Sequence, residues 1–240
     1  METNTFLKGV LSDEGYYCVF AFRTNDDRRV QKFYDSIDAL IQAAEDFDSQ
    51  GYDTYFALST FNEDNSRKVI NVKYLKSFFL DLDCGPSKDF TNQREAIDEL
   101  RSFCGRLSLP KPLMVSSGRG IHAYWPLTEH VCLDDWLPVA EALKKQCAKH
   151  GLAADPAVTA DAARILRVPS THNYKDDPPS EVVCLEKGKL TPVNFDVFSE
   201  KLGGGIITPP TKIEPDTTDY GKESVFKDIL LKTRSGKGCK

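Results

Sequence analysis

The sequence predicts an α+β protein of two interlocked parts: an N-terminal α/β lobe over about 1–75 and a sheet-based lobe over about 76–200. Three observations predict it. Short aromatic and β-branched runs alternate with apolar stripes at helical spacing. One of those runs, Phe78-Phe79-Leu80-Asp81-Leu82-Asp83, carries two acids at strand alternation. A third stretch, KPLMVSSGRGIHAYWPL, reads as two apolar strands around a Ser-Gly-Arg-Gly turn, which is a hairpin signal.

The elements follow in order. Residues 15–22 (GYYCVFAF) and 53–60 (DTYFALST) have strand composition. Between them Ile37, Leu40, Ile41, Ala44 and Phe47 recur at helical spacing behind Ser36, an N-cap. The acidic strand spans roughly 77–83. A helix begins at about Asn92, where Asn92 and Glu95 resemble a capping box, with Ile97, Leu100, Cys104 and Leu107 as its stripe. After the hairpin, a helix from about Asp134 to His150 buries Trp136, Val139, Leu143 and Cys147; Gly151 closes it and Pro138 falls in its first turn. Residues 201–222, rich in Gly, Pro and Thr, read as a linker. Residues 223–240 read as the start of a further helical region, with Val225, Phe226, Ile229 and Leu230 as its stripe, cut short from a longer protein.

At 240 residues the chain can bury a substantial core. No apolar run is long enough for a membrane span and Met1–Val10 lacks a signal-peptide pattern, so a cytoplasmic location and no membrane partner are expected. The seven cysteines include no Cys-x-x-Cys pair, which argues against a disulfide framework and a structural zinc site. A net charge of -5 argues against a protein that coats nucleic acid, though not against one that grips a strand locally. Glu45, Asp46, Asp48 and Asp53 read as a solvated acidic face.

Three segments carry the chemistry. Asp81 and Asp83 share one strand face while Phe78, Leu80 and Leu82 take the other, and two carboxylates so placed repel unless a cation lies between them. Hard divalent ions such as magnesium or manganese want such oxygen ligands. The second segment is Ser116-Ser117-Gly118-Arg119-Gly120-Ile121-His122. Its glycines allow close backbone approach to a phosphate, and its serines, Arg119 and His122 add donors and positive charge. The third begins at Asp155, an acid able to complete a metal site, and continues through Arg164, Arg167, Asn173 and Lys175, with the basic residues as phosphate-holding candidates. Each segment alone has an ordinary reading: a solvated turn, a plain hairpin, a structural histidine or surface arginines. The three together in this order make coincidence a poor explanation.

FFLDLD, SSGRGIH and DPAVTADAARILRVPSTHNYK resemble the three signature motifs of the archaeo-eukaryotic primase superfamily, nearest to the primase-polymerases of phages and plasmids; the likeness covers roughly Lys76 to Lys187. The resemblance implies an RRM-like catalytic lobe and template-directed nucleotidyl transfer that makes or extends primers by a two-metal-ion mechanism. It implies two magnesium or manganese ions held by Asp81, Asp83 and Asp155. It implies nucleotide contacts from Ser116, Ser117, Gly118, Arg119, His122, Arg167, Asn173 and Lys175. Implied partners are a single-stranded DNA template, NTPs or dNTPs, and a helicase region in the same longer protein. The chain departs from the archaeal and eukaryotic pattern at Asn173, where histidine is usual, and shows no zinc knuckle. Lys73, Lys76, Arg94 and Tyr74 are candidate template contacts. Rival readings are a relaxase-type nickase, disfavoured by four scattered histidines without His-x-His, a catalytically inactive primase-like DNA-binding module, and a plain α/β domain.

Overall fold

A computed structural model describes residues 1–185 and 190–203; the expected linker beyond residue 203 and the expected C-terminal helix lie outside the described residues. The chain opens with a helix that the sequence reading did not single out, α1 (Thr3–Val10), which buries Phe6, Leu7 and Val10. The strands β1 (Tyr17–Arg23) and β2 (Arg28–Tyr34) form an antiparallel hairpin. β2 escapes pattern reading because its sequence, RRVQKFY, belongs to a largely exposed edge strand, where lysine and arginine are the expected edge residues. The helix α2 (Ile37–Ser49) follows, and the Ser36 hydroxyl accepts from the Ala39 N–H at 3.3 Å, as an N-cap does.

The run 53–60 is one stretch in sequence but two strands in space. β3 (Asp53–Ala57) and β4 (Ser59–Phe61) part at Leu58, where the chain leaves one sheet and enters the other. β5 (Val72–Asp83) is longer than the stretch 77–83 and runs straight through position 75, so one strand serves both sides of the expected lobe boundary. On α3 (Gln93–Leu107), Asn92 Oδ1 accepts from the Glu95 N–H at 3.1 Å, but the Glu95 carboxylate accepts from Thr91 N–H and Oγ1–H, not from Asn92. The reciprocal bond of a capping box therefore closes one residue early. The buried stripe of α3 is Ala96, Leu100, Phe103 and Cys104, with Ile97 and Leu107 half-buried beside it.

β6 (Leu113–Ser116) and β7 (Gly120–Val131) make the expected hairpin. α4 (Leu133–Lys149) buries Trp136, Val139, Leu143 and Cys147, and Gly151 takes a left-handed φ of 68° just past its end. Pro138 lies past the first turn, inside α4, so it takes from the Asp134 carbonyl its helical donor; the first-turn placement is thereby corrected. The short elements α5 (Pro156–Thr159), β8 (Ile165–Arg167), β9 (His172–Asn173), β10 (Ser180–Glu181), β11 (Val183–Cys184) and α6 (Phe195–Lys201) complete the described fold.

Two antiparallel sheets organise these elements: β2-β1-β3-β8 and β11-β6-β7-β5-β4, with a small β10-β9 ladder beside them. They interlock by exchanging strands. β4, early in the chain, edges the five-stranded sheet, and β8, late in the chain, edges the four-stranded one through Tyr55↔Arg167. Phe6 of α1 links both: its ring meets Phe56 of β3 edge-on at 5.9 Å and Tyr124 of β7 at 5.1 Å. On the other face of the five-stranded sheet Phe78 stacks on Phe198 at 4.8 Å and on Trp136 at 5.7 Å. Among the described residues, no helix is long and apolar enough to cross a membrane.

Candidate active site

The register of β5 against β7 decides what shares a face. Asp81 lies opposite His122 and Asp83 opposite Gly120. By strand alternation both carboxylates, His122 and Tyr124 point away from the face of Phe78, Leu80 and Leu82. Gly120 is required here: a Cβ would fall 2.5 Å from the Leu82 carbonyl oxygen. Asp155, remote in sequence, is tied to this strand by its own N–H, which donates to the Asp81 carbonyl at 2.9 Å. The three acids line one cleft of about 1010 Å³, whose other walls carry Lys88, Arg119, Arg164, Arg167 and Lys175.

The charge balance in this cleft is strained. Burial, then the neighbouring Asp83 carboxylate, push the Asp81 carboxyl up to about 7, against the pull of Arg164. Lys88 Nζ sits 2.7 Å from Asp83 Oδ2, and Arg164 Nη2 lies 3.8 Å from Asp155 Oδ2. Asp155 Oδ1 meanwhile accepts from the Ala157 N–H at 2.8 Å, capping α5. Among the described residues, no three His, Cys, Asp or Glu side chains are gathered as a formed metal site. The donor set nevertheless fits a hard divalent cation in kind: it is all oxygen, it is partly buried, and its central carboxylate is held from ionising by burial and then by like charge, the latter of which a cation would relieve.

His122 corrects one expectation. It is buried, and burial together with Arg167 pushes its imidazole down to about 3, so it brings no positive charge to the cleft. Its Nε2 lies 3.7 Å from Asp81 Oδ1, and its Nδ1 lies 3.4 Å from the Tyr124 hydroxyl. A neutral ring in this place is a hydrogen-bonding group with one donor and one acceptor.

The Ser-Gly-Arg-Gly turn is built from its own side chains. The Ser117 N–H donates to the Gly120 carbonyl at 2.9 Å, and the Gly120 N–H donates back to Ser117 Oγ at 3.1 Å. Asn173 Nδ2 donates to the Ser117 carbonyl at 2.8 Å, which makes buried Asn173 a brace for the turn. Gly118, at φ 91°, leaves no room for a side chain, since a Cβ would meet Asn173 Cβ at 3.0 Å. Among the described residues the N–H groups of Gly118 and Arg119 meet no protein acceptor, and both residues line the cleft. Arg119 leans on Asp176, Nε to Oδ1 at 2.6 Å, and donates to the Lys175 carbonyl. Ser116 is placed elsewhere: its hydroxyl pairs with the Gln93 side chain and does not line the cleft.

Arg167 is no surface charge. It is buried on β8, over the Tyr55 ring at 4.8 Å, and its Nη1 donates to Asp53 Oδ1 at 2.5 Å. The reading of the early acids as a solvated face holds for exposed Glu45 and Asp46 and is corrected for Asp48 and Asp53. Asp53 is 1% exposed and also accepts from the Tyr174 N–H at 3.0 Å. Asp48 accepts from the His172 N–H at 2.7 Å. These carboxylates face inward because β8 and β9 lie beside them, which spacing alone does not reveal. Sequence reasoning also missed Tyr55, Lys88, Gln93 and Asp176, all lining the cleft. An arginine following a lone acid by over a hundred positions carries no local signal. The candidate template contacts are engaged outside the cleft: Lys73 with Glu14 at 3.1 Å, Tyr74 stacked on His130 at 3.9 Å, Lys76 on the Lys8 carbonyl at 3.3 Å and Arg94 with Asp98 at 2.9 Å.

No protein-family model matches the chain, and no curated protein does. Solved structures do. The archaeo-eukaryotic primase domain of the cyanophage S-2L primase-polymerase superposes with a TM-score of 0.56 at 14% identity, over 80% of this chain and 90% of that one. The primase RepB′ gives 0.54 at 14% identity over 84% of this chain and 60% of that one. The catalytic domain of RepB′ in complex with initiator DNA gives 0.53 at 13% identity over 98% and 96%. At such identities the likeness is one of fold, and the fold is that of the archaeo-eukaryotic primases.

Proposed function

We propose that this chain, which has the archaeo-eukaryotic primase fold, is a template-directed nucleotidyltransferase that makes or extends primers on single-stranded DNA in phage or mobile-element replication. The observation that carries the reading is the meeting of Asp155 with Asp81 and Asp83 in a cleft also lined by Lys88, Arg119, Arg164, Arg167 and Lys175. Three carboxylates lining one cleft suit metal-assisted phosphoryl chemistry, and arginine and lysine lining the same cleft suit a triphosphate. Asp81, Asp83 and Asp155 would hold magnesium or manganese, as a pair of ions. Bound there, the metal would activate the attacking hydroxyl and neutralise charge on the departing pyrophosphate.

The chain's own residues supply binding and orientation. Arg119, Lys175 and the unpaired N–H groups of Gly118 and Arg119 bind the phosphates of an NTP or dNTP. Arg167, fixed between Asp53 and Tyr55, offers a charge whose direction is already set, and so costs little reorganisation when the nucleotide arrives. His122, with Nδ1 at 3.4 Å from the Tyr124 hydroxyl and Nε2 at 3.7 Å from Asp81 Oδ1, offers the cleft a neutral ring with one donor and one acceptor. Asn173 and Ser117 hold the turn to which these groups belong.

The test is a metal-dependent incorporation assay on primed and unprimed single-stranded templates, with each sugar and each metal. Labelled products that require metal and vanish in Asp83→Ala support the reading. Products made equally well by Asp83→Ala overturn it.

A further inference from the structure

The four-stranded sheet has one face turned away from α1 and α2. Its register lays Phe20 directly opposite Tyr55, and Phe22 two residues farther along β1, opposite Arg29. Phe20 and Tyr55 rings stand 6.1 Å apart, and the Arg29 guanidinium lies over Phe22 at 5.5 Å. At the Phe33 end this face is covered by Phe61, at 5.6 Å. At the Phe20–Phe22 end it is open: a groove of about 480 Å³ runs along these aromatics, walled by Arg29, Arg67 and Arg164. Arg67 is anchored across it, to Gln31 Oε1 at 3.3 Å and to the Ala163 carbonyl, and makes no ion pair among the described residues. Arg29 pairs with exposed Asp27, and among the described residues Asp161 is the one acid lining the groove.

This groove does not stand alone. Tyr55, Arg164 and Ile165 line both it and the carboxylate cleft, so the two are adjoining lengths of one surface. Three half-buried aromatic rings in sequence, flanked by cations, match what an unpaired strand offers: a π-face on every base and a charge on every phosphate. In a chain whose net charge is -5, a local run of three arginines beside aromatic rings is selective charge complementarity.

We propose that this face is a stacking track for single-stranded DNA, carrying bases on Tyr55, Phe20 and Phe22 and phosphates on Arg164, Arg67 and Arg29, and delivering the template to the cleft. That the bound strand serves as template rests on the function proposed above; that the face binds a strand does not. Stacking makes the contact tolerant of sequence, as copying requires.

Binding of the full chain to a short labelled oligothymidylate would be measured by fluorescence anisotropy across a salt series, for wild type, Phe22→Ala and Arg29→Glu. Thermal midpoints would be recorded alongside to verify folding. Each variant is expected to weaken binding about tenfold, and Arg29→Glu to lower the salt slope by about one. An iodouracil-substituted oligonucleotide, photo-crosslinked to unaltered protein, should map to Phe20, Phe22 or Tyr55, which needs no variant to fold. Unchanged affinity in both folded variants, crosslinks confined to other surfaces, or no oligonucleotide binding at all would overturn the track. Incorporation by the wild type is scored separately. Crosslinks on this face without any incorporation would sink the polymerase reading and leave the track standing.

Discussion

Asp83 separates function from stability most cleanly. Its pair with Lys88 is solvent-exposed and contributes little to stability, whereas its charge is one of the forces holding Asp81 from ionising. Asp81 has a folded pKa of about 7, above the ordinary carboxylate value of about 4, so the folded state holds this proton more tightly than the unfolded chain does. Its ionisation therefore costs nothing below about pH 4 and costs stability increasingly up to about pH 7. Asp83→Ala should abolish incorporation yet match or exceed the wild-type thermal midpoint at pH 8 without metal, with the difference fading toward pH 4. A midpoint well below wild type at pH 8 would contradict this account of the site. Asp53 behaves in the opposite way. Asp53→Ala leaves the buried Arg167 without its partner, a loss of roughly 3–5 kcal/mol readable by urea unfolding. An unchanged denaturation midpoint would mean that Arg167 finds other compensation.

At the scale of elements, the β5–β7 pair is the scaffold of the site, and Gly120 is its tightest point. Gly120→Ala places a methyl group against a backbone carbonyl of β5, which cannot swing aside as a side chain can. We expect a destabilisation of about 1–3 kcal/mol, together with loss of incorporation, because Asp83 lies directly opposite. Wild-type stability and activity in that variant would show that the strands tolerate a wider spacing. The α3 cap teaches a related lesson. Asn92 behaves as its identity predicts, while Glu95 answers Thr91, because the geometry of the preceding turn chooses the partner.

For the whole molecule, the two sheets are bound together by exchanged strands and by Phe6. Phe6→Ala should cost roughly 3–5 kcal/mol, and unfolding of the described body should remain a single transition, since neither sheet is complete without a strand from the other part of the chain. Two separate transitions would refute the interlock. The cysteines report on the same core. Burial pushes the thiols of Cys18, Cys104 and Cys147 up to about 12, while Cys132 is exposed. In native protein at pH 8, a thiol reagent followed by peptide mapping should label Cys132 rapidly and spare those three until denaturant is added. Early labelling of Cys147 would place a fault in the packing of α4.

The sequence by itself determined what local chemistry controls. Side-chain alternation put Asp81 and Asp83 on one face, glycine marked the hairpin and the end of α4, and the α4 stripe was legible because its periodicity is its burial. Only the tertiary structure decided what depends on neighbours distant in the chain. It split 53–60 at Leu58, turned Asp53 inward to Arg167, moved Ser116 off the cleft, and left His122 neutral. The physical reason is common to all four: periodicity records which way a side chain points, whereas solvation and pairing are set by whatever strand or helix the fold later brings against it.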